Sequence, residues 1–128
     1  MKLLEATTKN IDEAAEIIKH GGLVAFPTET VYGLGADGLN PIAAAKIFEA
    51  KKRPAFNPLI LHIAEKSWLR NFTDYSDERI YRLINKFWPG PLTFVLPKTD
   101  IVPDIITAGN PTVAVRMPNH KVALELIK

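Results

Sequence analysis

The side chains that could carry chemistry are concentrated in residues 23–63. The segment LVAFPTETVYGLGADG runs as an apolar stretch to Pro27, and the hydroxyls and carboxylate of Thr-Glu-Thr at 28–30 follow at once. One helix length later, positions 51–53 place two lysines and an arginine side by side. Lysine as a point charge and arginine as a planar fork suit the adjacent phosphates of a nucleotide. The combination predicts a pocket for an anionic ligand.

Both features also have a purely structural interpretation. Thr-Glu-Thr at 28–30 is typical of a turn, in which hydroxyls bond the nearby backbone. Cations in the last turn of a helix are favoured by the helix macrodipole, by roughly 0.3–1 kcal/mol each, without any ligand. The prolines at 54 and 58 restrict the chain directly after the cations, however, and this favours charges held in place for a ligand.

Two further polar residues stand inside apolar runs. His62 lies in the run LILHI, where a histidine is more often part of a core than of a catalytic site. Arg116 ends the run TVAVR, and a buried arginine is costly unless an anion accompanies it. That anion is either a protein carboxylate or a ligand carboxylate, and the sequence leaves both open. If the strands that end near residues 27, 62 and 116 are parallel neighbours, their polar residues converge at one sheet edge.

Composition excludes several kinds of site. The chain has no cysteine, which removes disulfides, thiolate nucleophiles and zinc–thiolate centres. Its three histidines lack the i, i+4 spacing of a helical metal site, so no protein metal site is expected. The net charge of +2 is too small on its own to argue for nucleic acid. No run approaches the ~20 apolar residues of a membrane span, so we expect a cytoplasmic protein without a membrane partner.

Strand and helix signals alternate along the 128 residues, which predicts an α/β fold and a single domain, 1–128. The predicted helices are 11–20, from Asn40-Pro41 to about Arg53, 64–71 and 76–87. The predicted strands are 23–26, extended at 31–34, then 59–63, 92–96 and 112–116, with a loop at 100–110. A last helix signal begins at 117 and reaches Lys128 without a stop, so we expect the domain to be incomplete at its C-terminal end.

Four motifs in order resemble the YrdC-like family of threonylcarbamoyl-AMP synthases: PTETVYGLG, KKRPAFNPLILHI, WPGPLTFVL and PTVAVRMPNH. The resemblance covers the chain from about Gly22 to His120. It implies a twisted, open, knot-free mixed sheet flanked by helices, with a concave basic cavity. It also implies a reaction of L-threonine, bicarbonate and ATP that yields threonylcarbamoyl-adenylate and pyrophosphate, for modification of an adenosine beside the tRNA anticodon.

The resemblance also implies roles for single residues. Positions expected to contact ATP are Lys51, Arg53, Asn57 and Thr112. The Lys-x-Arg pair at 51 and 53 is expected to hold the phosphates and to carry the catalysis. Thr30, His62 and Arg116 match positions expected to contact threonine, with the arginine on its carboxylate. Mg²⁺ is expected to arrive with ATP.

One departure from the family and two alternatives bear on the function. The family's Ser-x-Asn motif should follow the arginine strand, and the chain ends at Lys128 before it, so we expect a truncated chain with poor or absent activity. The first alternative is a non-catalytic RNA-binding module that uses the basic concave surface. The second is a carbamoyl-adenylate-handling domain of the hydrogenase maturation type. The expected partners of a synthase are the tRNA-modification proteins that use its product.

Overall fold

A computed structural model describes residues 3–128, and helices and strands alternate along most of its length. The helices are α1 (Thr8–Lys19), α2 (Pro41–Lys51), a 3₁₀ helix (Lys66–Asn71), α3 (Glu78–Phe87), α4 (Asp104–Thr107) and α5 (Lys121–Ile127). The strands are β1 (Val24–Pro27), β2 (Tyr32–Gly35), β3 (Ile60–His62), β4 (Thr93–Pro97) and β5 (Thr112–Arg116). Every helix within residues 3–128 is too short or too polar to span a bilayer.

The strands form two separate sheets within the described residues. The larger has the order β3-β5-β4, with β3 parallel to β5 and β4 antiparallel to it. β1 and β2 form an antiparallel hairpin of their own. The mixed α/β class expected from the sequence is therefore confirmed. The strand before residue 28, however, is not a parallel neighbour of the other two, because its hydrogen bonds go to β2.

One face of the three-stranded sheet packs into the main core. Val113 and Val115 of β5 are completely or almost completely buried, and Phe94 and Leu96 of β4 lie beside them. Since side chains alternate between the two faces of a strand, the intervening positions of β5 must point the other way. Those positions are 112, 114 and 116, so Arg116 lies on the face opposite the core.

The hairpin belongs to a second, smaller core. Phe26 of β1 packs with Ile11 of α1 and with Ala123 and Leu126 of α5. The helices at the two ends of the described chain therefore hold the hairpin, and they place it beside the open face of the larger sheet.

Local signals explain most helix boundaries, and several predicted boundaries need correction, among them the end of α2 at Lys51 and the start of α5 at Lys121. Asn40 caps α2 by accepting from two backbone N–H groups, as predicted. α1 begins at Thr8, earlier than predicted, because the Thr7 hydroxyl caps it. The predicted loop at 100–110 contains α4, which starts after Pro103 with no side-chain cap and so lacks the usual sequence signal.

Candidate functional site

A cavity of about 620 Å³ lies between the open face of the larger sheet and the hairpin. Five of the seven residues singled out in the sequence line it: Thr30, Lys51, Arg53, His62 and Arg116. The remaining two, Asn57 and Thr112, are not among its lining residues. Four of these residues form two pairs. The sheet side is His62 and Arg116, and the helix-end side is Lys51 and Arg53.

The sheet side is set by strand register. His62 and Arg116 are direct partners in the parallel pairing of β3 with β5, so they lie next to each other on one face. The His62 ring meets Phe26 of the hairpin edge to face, at 6.3 Å between ring centroids. Burial lowers the pKa of His62 below its ordinary value, against a smaller opposing effect of its hydrogen bond with the Ile60 carbonyl. The ring is therefore neutral near pH 7, and with Nδ1–H donating to that carbonyl, Nε2 is left to accept.

Arg116 is held by the protein at two points. Its Nε–H donates to the Gly90 carbonyl at 3.2 Å, and its Nη2 donates to the carboxylate of Glu29. Burial lowers the pKa of the Arg116 guanidinium, but this group stays charged near neutral pH. The sequence left open whether a protein or a ligand carboxylate accompanies Arg116, and in this structure the accompanying carboxylate is the protein's own.

Residues 28–31 form the hairpin tip, and the Thr28 hydroxyl organises it. This hydroxyl donates to the Val31 carbonyl at 2.6 Å and accepts from the backbone N–H groups of Thr30 and Val31. The structural interpretation of Thr-Glu-Thr as turn chemistry is thus correct for Thr28. The Thr30 hydroxyl lies 3.0 Å from the Thr28 hydroxyl. Both residues line the cavity.

The helix-end side is set by the end of α2. Lys51 is the last residue of α2, and Lys52 ends the helix in a left-handed conformation with φ of 51°. Arg53 then donates to two carbonyls of the following loop, Asn57 O at 3.2 Å and Pro58 O at 2.7 Å. Within residues 3–128, neither Lys51 nor Arg53 forms an ion pair with a carboxylate. Two uncompensated positive charges therefore line one wall of the cavity.

Asn57 and Thr112 are not among the residues that line the cavity. Asn57 contributes its backbone carbonyl to Arg53. Thr112 shares a strand face with Arg116 but sits at the opposite end of β5, about 13 Å away at the usual rise per residue. The nucleotide contacts that the resemblance implies for these two residues stay predictions.

Glu29 was not singled out as a site residue from the sequence, and it proves to be the partner of Arg116. The available signal was a lone carboxylate directly after a buried strand, in a chain that also carries an arginine in an apolar run. No local pattern could show that the two residues meet across 87 residues of sequence.

No metal-binding cluster is present in the described part of the chain. Within residues 3–128, no group of three or more His, Asp or Glu could hold an ion.

Comparison with known proteins identifies the family. The sequence model of the Sua5/YciO/YrdC family, described as "Telomere recombination", matches residues 16–128. The threonylcarbamoyl-AMP synthase of Pyrococcus abyssi is 57% identical over 115 residues, which are 90% of this chain and 34% of that protein. The threonylcarbamoyl-AMP synthase of Bacillus subtilis is 49% identical over 126 residues, which are 98% of this chain and 36% of that protein.

Solved structures agree with the sequence comparison. P. abyssi Sua5 complexed with L-threonine matches with a TM-score of 0.92 and 54% identity, over 98% of this chain and 36% of that one. YciO of E. coli matches with a TM-score of 0.82 and 27% identity, over 94% of this chain and 58% of that one. The chain thus spans about a third of the length of the two synthases named above, at 34% and 36%. The resemblance seen in the four sequence motifs is confirmed, and the chain belongs to the Sua5/YciO/YrdC family.

Proposed function

We propose that this chain provides the substrate-binding cavity of a threonylcarbamoyl-AMP synthase. The observation that supports the proposal is the cavity itself, whose lining includes Thr30, His62 and Arg116 together with Lys51 and Arg53. The site combines a buried arginine with two cations that form no ion pair within residues 3–128. Such a site suits an amino acid and a nucleotide bound together. The names of the relatives support the same activity.

The sheet side would take L-threonine. A guanidinium has five N–H donors, and the protein contacts of Arg116 use two of its nitrogens, Nε and Nη2. The remaining donors would bind the threonine carboxylate. The Thr30 hydroxyl and the His62 ring, both in the cavity wall, would contact the other polar groups of the amino acid. A related structure that contains L-threonine supports this choice of ligand.

The helix-end side would bind the ATP phosphates. In the proposed reaction the threonine amine first combines with bicarbonate to give a carbamate, with loss of water. A carbamate oxygen then attacks the α-phosphorus as the bond to the β-phosphate breaks, and pyrophosphate leaves. Phosphoryl and nucleotidyl transfers depend chiefly on positioning and charge stabilisation, so Lys51 and Arg53 would act as fixed positive charges and no strong base is needed.

Mg²⁺ would accompany ATP in this proposal. The ion commonly binds substrate phosphates and water together with one or two carboxylates. In the described part of the chain no larger set of acidic ligands is present, and Asp37 is a carboxylate in the cavity wall. These residues fit an ion held mainly by the nucleotide. When bound, Mg²⁺ would neutralise phosphate charge.

The remaining expectations stay predictions. They are the use of bicarbonate, the tRNA-modification proteins that consume the product, and the cytoplasmic location. No specific observation favours the RNA-binding module or the carbamoyl-adenylate-handling domain over the synthase. RNA binding that weakens steeply with salt and ignores ATP and threonine would be the sign of the first alternative.

The test combines binding with turnover. Calorimetry of the wild-type chain should show binding of both L-threonine and ATP. Arg116→Ala should lose threonine affinity and keep ATP affinity, whereas Lys51→Ala should lose ATP affinity and abolish any turnover. Turnover itself is pyrophosphate release that requires both threonine and bicarbonate. The chain spans about a third of the length of the two synthases named above. Binding is therefore measured separately from turnover, so that each can be judged without the other.

Arg82→Ala is the matched control. Arg82 lies on α3 in an exposed ion pair with Glu78 and is not in the cavity wall, so neither affinity should change. Unchanged threonine affinity in Arg116→Ala would contradict the assignment of the sheet side.

A further inference from the structure

We infer that Glu29 is a positioning residue for the threonine site, an inference that rests on the proposed function. Glu29 is not among the residues that line the cavity, although Thr28, Thr30 and Arg116 are. We therefore assign its effect on a ligand to the residues that its carboxylate holds, Arg116 and Asn119.

The contacts of Glu29 join two distant parts of the chain, the hairpin tip and residues 116–119. One carboxylate oxygen accepts from Nη2 of Arg116, and the other accepts from the backbone N–H of Asn119. Glu29 itself belongs to the hairpin tip, Arg116 ends β5, and Asn119 precedes α5. The side chains of Glu29 and Arg116 are 22% and 10% exposed, so solvent screens this charge-assisted pair only weakly.

These contacts fix the plane of the Arg116 guanidinium. The planar group is bonded to the Gly90 carbonyl through Nε and to Glu29 through Nη2. The Gly90 peptide is itself tied to the end of β5, since its N–H donates to the Met117 carbonyl at 2.8 Å. A planar group held at two points keeps its remaining donors in one direction. A carboxylate ligand needs such a fixed direction, because it accepts parallel N–H bonds.

Glu29 also sets the distance between two proposed threonine contacts. The hairpin and the larger sheet share no backbone ladder in the described residues, so strand pairing does not fix Thr30 relative to Arg116. The bonds of the Thr28 hydroxyl make the hairpin tip a tight turn, and Glu29 ties that turn to Arg116. The carboxylate thereby holds a hydroxyl from one sheet and a guanidinium from the other in one arrangement.

A competing role for the same contact is that of an inhibitory anion. Glu29 could occupy the donors that a ligand carboxylate needs and be displaced when the ligand binds. The two roles predict opposite results when the charge is removed. Loss of a positioning residue weakens threonine binding, whereas loss of a competitor tightens it.

The test compares Glu29→Gln and Glu29→Asp with the wild-type chain by calorimetry. The ligands are L-threonine and L-threoninol, which lacks the carboxylate. For Glu29→Gln we expect about tenfold or greater loss of threonine affinity, the usual scale for a lost charged hydrogen bond, and a smaller loss for threoninol. Glu29→Asp keeps the charge and should recover part of the loss. General damage to the fold would weaken both ligands equally and overturn the inference.

The matched control is Glu78→Gln, which removes a glutamate from an exposed Glu–Arg pair outside the cavity. It should leave both affinities unchanged. A Glu29→Gln chain that binds threonine as tightly as the wild type, or more tightly, would overturn the positioning role.

A second measurement does not depend on threonine. The Nε–H proton of Arg116 should exchange slowly with water in the wild type and faster in Glu29→Gln and Glu29→Asp, as followed by NMR. Unchanged exchange would overturn the inference. If the wild type binds neither ligand, or binds both equally, the proposed threonine site fails. The exchange measurement then still shows whether Glu29 orients Arg116.

Discussion

The two cationic sides of the cavity are held in different ways. On the sheet side, Arg116 is 8% exposed and is bonded to a carboxylate and a carbonyl from distant parts of the chain. On the helix-end side, Lys51 is exposed and Arg53 bonds only carbonyls within five residues of itself. The first arrangement is part of the tertiary structure, and the second is local.

This difference matches the two kinds of ligand proposed for the cavity. A small amino acid has one shape, and recognition of its carboxylate improves when the donors are fixed in advance. The phosphates of a nucleotide carry several charges, and the two cations of the helix-end side can match them without partners from distant parts of the chain. We therefore expect changes on the sheet side to affect both stability and binding, and changes on the helix-end side to affect mainly binding.

The largest effect should come from Arg116→Ala. It leaves the Glu29 carboxylate mostly buried without its cation, and breaking such a pair costs about 3 kcal/mol in the free energy of unfolding. Urea denaturation measures this change. Arg82→Ala breaks an exposed pair instead and should change the stability by less than about 0.5 kcal/mol. Equal losses of unfolding free energy in the two variants would show that the Arg116 pair stabilises the fold no more than an exposed pair does.

Arg53→Ala should separate binding from stability. Loss of its bonds to Asn57 and Pro58 should lower the free energy of unfolding by no more than about 1 kcal/mol, since both are local. ATP affinity should fall about tenfold, the scale of one charged phosphate contact. Arg70→Ala is the control, because Arg70 makes a similar local bond to the Ser67 carbonyl outside the cavity. A stability loss as large as that of Arg116→Ala would contradict the local character of this side.

Lys52→Gly tests how the helix end holds its charges. Lys52 has φ of 51°, a left-handed conformation that glycine adopts without steric cost. Relief of this strain, partly offset by the entropy of glycine, should raise the free energy of unfolding by about 0.5 kcal/mol. Ala108→Gly, at φ of 53° after α4, should do the same. Only Lys52→Gly removes a positive charge beside Lys51 and Arg53, so only this variant should weaken ATP binding. An equal loss of ATP affinity in both variants would count against a role for this helix end.

The smallest effect should be the pH dependence of His62. Because burial lowers its folded-state pKa, the unfolded chain binds the proton more readily. Stability should therefore fall as the pH drops below about 6.5, the ordinary pKa of histidine, down to the folded-state pKa. Urea denaturation of the wild type and His62→Gln at several pH values measures this. A wild-type profile as flat as that of His62→Gln would show that the ring titrates alike in both states.

The elements that the sequence predicted correctly carry their own local signals. Asn40-Pro41 begins α2 as its local signal predicts, whereas the left-handed Lys52 ends the helix before the prolines are reached. The strand at 112–116 agrees residue for residue, because its apolar run is short and clearly bounded. α4 was missed because its cap uses no side chain.

The cavity was predictable as a set of residue types and not as an arrangement. His62 and Arg116 were recognised as polar residues in apolar runs, and register then made them neighbours. The hairpin of β1 and β2 packs against α1, which precedes it closely, and against α5, which is distant in sequence. The contact of Glu29 with Arg116 depends on that packing in turn. Non-local contacts of this kind leave no periodic or spacing signal in the chain.

The register of β3 with β5 has a consequence for changes in chain length. His62 and Arg116 are neighbours through paired strands, so the number of residues that connect them does not set their separation. Insertions in the exposed part of residues 98–110 should leave the pair intact. A single residue inserted within β5, before Arg116, would instead turn the arginine to the opposite face of the sheet. Deletion and insertion scanning of the chain should therefore find the site most sensitive to changes inside β3 and β5.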